Sequence, residues 1–93
     1  MATGTATLDF TSTPNNTASV TVTGLSGLST GTFKEAFIQS DDSTVDNDST
    51  NHRTLALYGR FTCEYLSSSS MIINCDLIAG YATGTFSVRY VTA

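Results

Sequence analysis

Apolar and small polar residues alternate with a period of two along most of this chain, the pattern of β-strands that bury one face. In the segment 85–91, Phe86, Val88 and Tyr90 share one face, while hydroxyl and charged side chains occupy the other. The remaining predicted strands cover residues 5–10, 17–23, 33–39, 53–65 and 71–77. The pattern therefore predicts six strands and no helix.

Turn signals separate these strands. Residues 13–16, Thr-Pro-Asn-Asn, combine a proline with asparagines that tolerate left-handed geometry, and residues 67–70 are four serines. Residues 24–31 are rich in glycine and serine, and residues 40–53 form a long polar loop. Regular spacing of short strands and turns is typical of antiparallel sandwiches and barrels. We expect a single all-β domain over residues 1–93, an antiparallel β-sandwich or small barrel of about six strands.

Two of the predicted strands contain local irregularities. In the segment 33–39, the central Lys34, Glu35 and Ala36 favour a helix, whereas the flanking aromatic and branched residues favour a sheet. We interpret this segment as a strand buried on both faces. In the segment 53–65, Gly59 interrupts the alternation, and a β-bulge is expected there.

The surface of this protein is covered by hydroxyl groups rather than by charges. Charged residues make up 13% of the chain, against about 25% in an average globular domain. The sequence contains 17 threonines and 12 serines, and threonine favours extended backbone. Natural sheets use charged residues to keep their edge strands from pairing. Their scarcity here predicts that other subunits cover the edges or faces, and hence a homo-oligomer or a larger assembly.

Charge and hydropathy exclude two classes of partner. The formal net charge is −4, and the four basic residues are scattered along the chain: Lys34, Arg53, Arg60 and Arg89. Phosphate binding needs clustered basic side chains, so we expect no nucleic-acid partner. No apolar run approaches the length of a membrane span. The first residues lack the basic and apolar regions of a secretory signal, so we expect synthesis in the cytoplasm and no membrane association.

The two cysteines, Cys63 and Cys75, lie almost symmetrically about the serine turn at 67–70. In a hairpin they would lie close together on adjacent strands. Each occupies the same face of its strand as the apolar residues. Two buried free thiols are the first expectation, since cytoplasmic synthesis keeps thiols reduced. A cross-strand disulfide is the alternative.

The polar loop gathers four carboxylates within residues 41–52. Oxygen-rich loops can hold calcium, but counting from Asp46 the sixth residue is Asn51 instead of glycine and the twelfth is Leu57 instead of glutamate. Turns formed by Asp and Asn side chains explain the composition without a ligand. We therefore predict no metal and no cofactor, and only weak cation candidates: Asp41, Asp46 and Asp48.

No cluster of residues indicates catalysis. His52 is the only histidine, and nothing in the spacing pairs it with a serine or a thiol. The nucleophile-elbow motif is missing, and residues 24–31 lack the lysine of a phosphate-binding loop. We expect no enzymatic activity.

Four residues are the candidates for contact with a partner. Tyr58 and Tyr81 lie next to glycines and outside the main apolar register, unlike most of the other aromatic residues. Asp42 and His52 lie in the polar loop, which is expected to be solvated or pressed against a neighbouring subunit. The chain has no tryptophan, which weakens the case for a carbohydrate-binding module.

A family resemblance is carried by residues 6–10, 18–24, 35–38 and 84–91. These segments resemble a group of small β-rich virion proteins of tailed bacteriophages. Members of this group often carry two histidines where this chain has Asn47 and His52, and this difference argues against a metal role for the loop. The similarity covers most of the chain but consists of strand patterns.

The resemblance implies a non-catalytic part of a virus particle, made in the host cytoplasm and located in the virion. A capsid decoration or cement subunit that contacts the major capsid protein is the leading expectation. A tail-fibre or tail-tip accessory protein that contacts other tail proteins is the alternative. A free-standing module that binds glycans or a protein, with a pocket near Tyr58 and Tyr81, is the hypothesis from a different class.

Overall fold

Six antiparallel strands and one short helix make up the fold in the computed structural model, which describes every residue from Met1 to Ala93. The elements in chain order are β1 (Ala2–Asp9), β2 (Thr17–Val22), β3 (Lys34–Phe37), α1 (Ser49–Tyr58), β4 (Gly59–Ser67), β5 (Ser70–Leu77) and β6 (Thr85–Thr92). The helix is neither long enough nor apolar enough to cross a membrane.

The strands form two three-stranded antiparallel sheets, with the orders β1-β6-β3 and β2-β5-β4. At one flank of the molecule β1 contacts β2, and at the other flank β3 contacts β4. The sheets thus face each other without joining. The predicted β-rich class with six antiparallel strands is confirmed and the small-barrel alternative is excluded, whereas the predicted absence of any helix was wrong.

The core lies between the two sheets and follows from the alternation in the sequence. Leu8 on β1, Met71 and Ile73 on β5, and Val88 on β6 are all fully buried, and each occupies the inward parity of its strand. The ring of Phe10 meets that of Phe86 edge to face, with centroids 5.7 Å apart. Burying one such side chain contributes about 1.5–3 kcal/mol, so these contacts fix the register of the strands.

The helix α1 replaces the first part of the strand predicted over 53–65. Asp48 caps it, because its carboxylate accepts a hydrogen bond of 2.8 Å from the backbone N–H of Asn51. His52 and Leu55 face the interior at helical spacing, and Leu57, predicted to be in the strand register, is exposed. The helix ends at Gly59, so this glycine marks a helix-to-strand junction and not the expected bulge.

The strand β3 is shorter and more exposed than predicted. Only Ala36 is buried, while Phe33 and Phe37 are exposed. The segment pairs with β6 alone and forms an edge of its sheet. The prediction that it is buried on both faces was therefore wrong.

The two cysteines are free thiols on the hairpin of β4 and β5. Cys63 pairs with Ile73 in the register and Phe61 with Cys75, so the thiols share a face but lie on a diagonal. Burial raises the pKa of Cys75 to about 12 and also raises the pKa of Cys63. Both sulfurs thus favour the protonated, unreactive form. The expectation of free thiols is confirmed, but only Cys75 is buried and Cys63 is partly exposed.

Candidate functional site

Half of the central strand β6 has no strand neighbour on one side. The strand β3 pairs with β6 only from Lys34 opposite Thr92 to Phe37 opposite Arg89. The backbone of β6 between residues 85 and 88 would therefore present an open edge. The segment 41–52, hereafter the polar strap, lies along this edge.

Side chains of the polar strap take the place of the missing strand at Thr85. The Thr44 hydroxyl and the Asn47 amide donate hydrogen bonds of 2.7 and 2.8 Å to the Thr85 carbonyl oxygen. The Asp46 carboxylate accepts one of 3.0 Å from the Thr85 N–H and one of 2.8 Å from its hydroxyl. Both backbone groups of Thr85 are thereby satisfied, as buried or edge groups need to be.

His52 performs the same task two residues further along β6. Its Nε2 accepts a hydrogen bond of 2.9 Å from the Ser87 N–H. The other ring nitrogen, Nδ1, lies 3.0 Å from the Asp48 carbonyl oxygen, so it must carry the proton and donate. The ring packs against Phe86 with centroids 5.0 Å apart and is fully buried. His52 thus lies inside the folded chain, and its expected contact with a partner stays a prediction.

The carboxylates of the polar strap also form hydrogen bonds with other groups of the same chain. Asp42 forms two hydrogen bonds with the Arg89 guanidinium, at 2.8 and 2.9 Å. These hydrogen bonds lower the pKa of Asp42. Asp46 binds β6 and Asp48 caps α1, while Asp41 is exposed. No group of three or more His, Cys, Asp or Glu residues is positioned to hold a metal ion.

The pair of Asp42 and Arg89 is expected to make stability depend on acidity. Because the pKa of Asp42 is lower in the folded state, the pair stabilises the fold above the ordinary pKa of an aspartate and loses this effect as pH falls through the folded value. We expect Asp42→Asn to lower the urea midpoint at neutral pH and to match the natural chain in strong acid. Asp41→Asn, at an exposed neighbour, is the control. An Asp42→Asn difference that is constant with pH would contradict this assignment.

One flank of the molecule has no such covering. β1 pairs only with β6, and β2 only with β5, so each has an open edge; together these edges form the β1/β2 flank. On the β6 side, the Ala2 N–H donates to the Thr92 hydroxyl oxygen and the Phe10 N–H donates to the Gly84 carbonyl oxygen. The backbone groups of the odd-numbered residues of β1 therefore point outwards. Asp9 is the only charged residue in either strand.

The opposite flank has the features that discourage pairing between sheets. β3 is only four residues long and carries Lys34 and Glu35. β4 carries Arg60 and Glu64, and its register is irregular between Tyr65 and Ser67. The two flanks thus differ in how well they are protected against pairing with another strand, and the β1/β2 flank is the unprotected one.

The structure brings Tyr58 and Tyr81 together, although they are far apart in sequence. They line a cleft of about 510 Å³ between α1 and the segment 78–83. Their side chains are 47% and 73% exposed. Leu55 and Leu77 are among the apolar residues below them, and no charged residue lines the cleft. Sequence reasoning singled out both tyrosines but assigned Tyr58 to a strand.

Other residues of these surfaces were not singled out from the sequence. Thr44 and Asn47 cover β6, and Asn51 and Thr54 line the cleft. A cap signal at Asp48 was the available clue to the helix that carries the last two. Asn51 and Thr54 lie three residues apart, which places them on one helical face.

Comparison with protein-family models, with curated proteins and with solved structures gives no match. Three features of this chain therefore bear on its function. They are the polar strap, the β1/β2 flank and the cleft between the two tyrosines.

Proposed function

We propose that this chain is a non-enzymatic structural subunit of a tailed-phage particle, a capsid decoration protein that docks through the β1/β2 flank. In this proposal the two sheets are the layers of a β-sandwich whose open edges meet a coat subunit or a second copy of the chain. The observation that carries it is the contrast between edges: the polar strap covers β6, whereas β1 and β2 are bare.

An open strand edge is a template for another strand. Its unpaired N–H and C=O groups can pair with an extended segment of a neighbour, which gains main-chain hydrogen bonds worth about 0.5–1.5 kcal/mol each. The outer side chains of both strands are mostly Thr and Ser, as Thr7 on β1 and Thr21 on β2 illustrate. Small hydroxyl side chains let a neighbouring strand approach closely without burying a charge, which suits a subunit that is permanently part of an assembly.

The state of the reactive side chains supports a non-catalytic role. Both ring nitrogens of His52 are engaged by backbone groups, so the ring has no free nitrogen to act as a base. Burial keeps Cys63 and Cys75 protonated at neutral pH. None of the three is arranged as the nucleophile or base of an acyl- or phosphoryl-transfer site.

Quantitative gel densitometry of purified virions tests this assignment. A decoration protein is expected at a copy number comparable to that of the coat protein. A copy number that is a small fraction of the coat protein's would support the tail accessory alternative instead. Absence from purified virions would contradict both.

A further inference from the structure

We infer that the cleft between Tyr58 and Tyr81 is a binding site for a neutral saccharide. This inference does not rest on the proposed assembly role. The volume of about 510 Å³ lies within the range of about 300–1,000 Å³ that small-molecule sites occupy. It is on the scale of a short oligosaccharide segment.

The chemistry of the lining selects against charged ligands. None of the residues that line the cleft is basic or acidic. A phosphate or carboxylate entering it would lose hydration without gaining a counter-charge, which is costly. An ammonium group would find no carboxylate in the cleft to balance its charge. The site therefore favours an uncharged ligand.

The two tyrosines provide the apolar part of such a site. More than two thirds of Tyr81 and almost half of Tyr58 are exposed to solvent. The face of an aromatic ring is weakly negative, and one face of a pyranose presents several weakly positive C–H groups. Stacking of the sugar on these rings would remove both apolar surfaces from water.

Polar groups beside the tyrosines have unused hydrogen-bonding capacity. Asn51 donates one amide hydrogen to Asn47, which leaves its second N–H and its carbonyl oxygen. The Thr54 hydroxyl donates to the Thr50 carbonyl oxygen, which leaves its lone pairs. The backbone N–H groups of residues 79–81 form no hydrogen bond. Sugar hydroxyls both donate and accept, so one ligand class can satisfy all of these groups.

Backbone hydrogen bonds tie the two walls of the cleft to each other and to the segment that precedes β2. The N–H of Ile78 donates to the Tyr58 carbonyl oxygen at 2.9 Å. Asn15 and Ala82 exchange two backbone hydrogen bonds, at 2.9 and 3.0 Å. The tyrosines are thus held apart by a frame that exists before any ligand arrives, which reduces the ordering cost of binding.

Titration of the isotopically labelled full chain with neutral saccharides tests the inference. The probes are maltotriose, a mannose trimer and an N-acetylglucosamine trimer, with glucose 6-phosphate as the charged comparison. We expect amide shifts of residues 79–83 with at least one neutral trimer and none with the phosphate. Because Tyr81 supplies the more exposed of the two stacking surfaces, Tyr81→Ala should weaken binding by about tenfold or more. Asn51→Ala should weaken it as well.

The matched control is Tyr65→Ala, since Tyr65 is a half-exposed tyrosine of β4 outside the cleft. It should leave saccharide affinity unchanged. No amide shift with any neutral trimer at its solubility limit would overturn the inference, as would equal affinity of Tyr81→Ala and the natural chain. Protection of residues 79–83 by coat protein but by no saccharide would make the cleft a protein contact instead. Docking through the β1/β2 flank is measured separately, so either proposal can fail alone.

Discussion

Replacing His52 with alanine is expected to lower the free energy of unfolding by about 3–5 kcal/mol, the range seen when a large buried ring is truncated. The ring is fully buried against Phe86, so its removal leaves a cavity. It also leaves the Ser87 N–H without its acceptor, a penalty of about 1–3 kcal/mol that forms part of the total. Because the free energy of unfolding of a small domain is only about 5–15 kcal/mol, this loss is a large fraction of the total stability.

Urea unfolding of three variants separates the causes. His52→Gln keeps a side-chain oxygen that can accept from Ser87, and it should lose less stability than His52→Ala. Arg53→Ala, at the exposed neighbour on α1, should change the free energy of unfolding by no more than about 0.5 kcal/mol. Faster amide exchange at Ser87 in His52→Ala is the local sign of an uncovered edge. Equal midpoints for His52→Ala and Arg53→Ala would contradict the role assigned to the ring.

Proline substitutions on the β1/β2 flank are expected to weaken the proposed docking strongly without unfolding the chain. Thr7 and Thr21 are exposed, and their register places their N–H groups on the open side of each strand. Thr7→Pro and Thr21→Pro remove an outward donor and place a ring where a neighbouring strand would pair, while the bonds to β6 and β5 remain. We expect each to weaken docking at least tenfold, which is about 1.4 kcal/mol.

Valine at the same positions is the matched control, because Thr7→Val and Thr21→Val keep the N–H and the branched shape. Recruitment to particles that lack this chain, followed by co-sedimentation, measures docking. Thermal unfolding checks that each proline variant is folded, and Thr7→Lys offers a second way to block the edge. Folded proline variants that are recruited as well as their valine counterparts would show that docking uses another surface.

The sequence could predict those parts of the fold in which the alternation of apolar and polar residues alone decides which side chains are buried. Phe86 and Val88 alternate with polar neighbours and are buried as expected. The helix was missed because Leu55 and Leu57 imitate a period of two, while the informative spacing is the three residues from His52 to Leu55. The cap at Asp48 was the remaining clue.

The candidate surfaces were less accessible to sequence reasoning because they join distant segments. Local turns formed by Asp and Asn side chains are what the sequence predicts for the polar strap, but Asp46 and Asn47 bind Thr85 on β6. That pairing depends on β3 ending at Phe37, which no local pattern indicates. The tyrosines of the cleft were noticed beside their glycines, yet only the contact between α1 and residues 78–83 brings them together.

Cryo-electron microscopy of phage particles incubated with this chain is the most direct test of the proposed docking through the β1/β2 flank. We expect a neighbouring strand at about 4.8 Å from β1 or β2, with the polar strap and the flank formed by β3 and β4 free of that contact. A chain whose β1 and β2 edges face solvent, while another surface touches the coat, would contradict it.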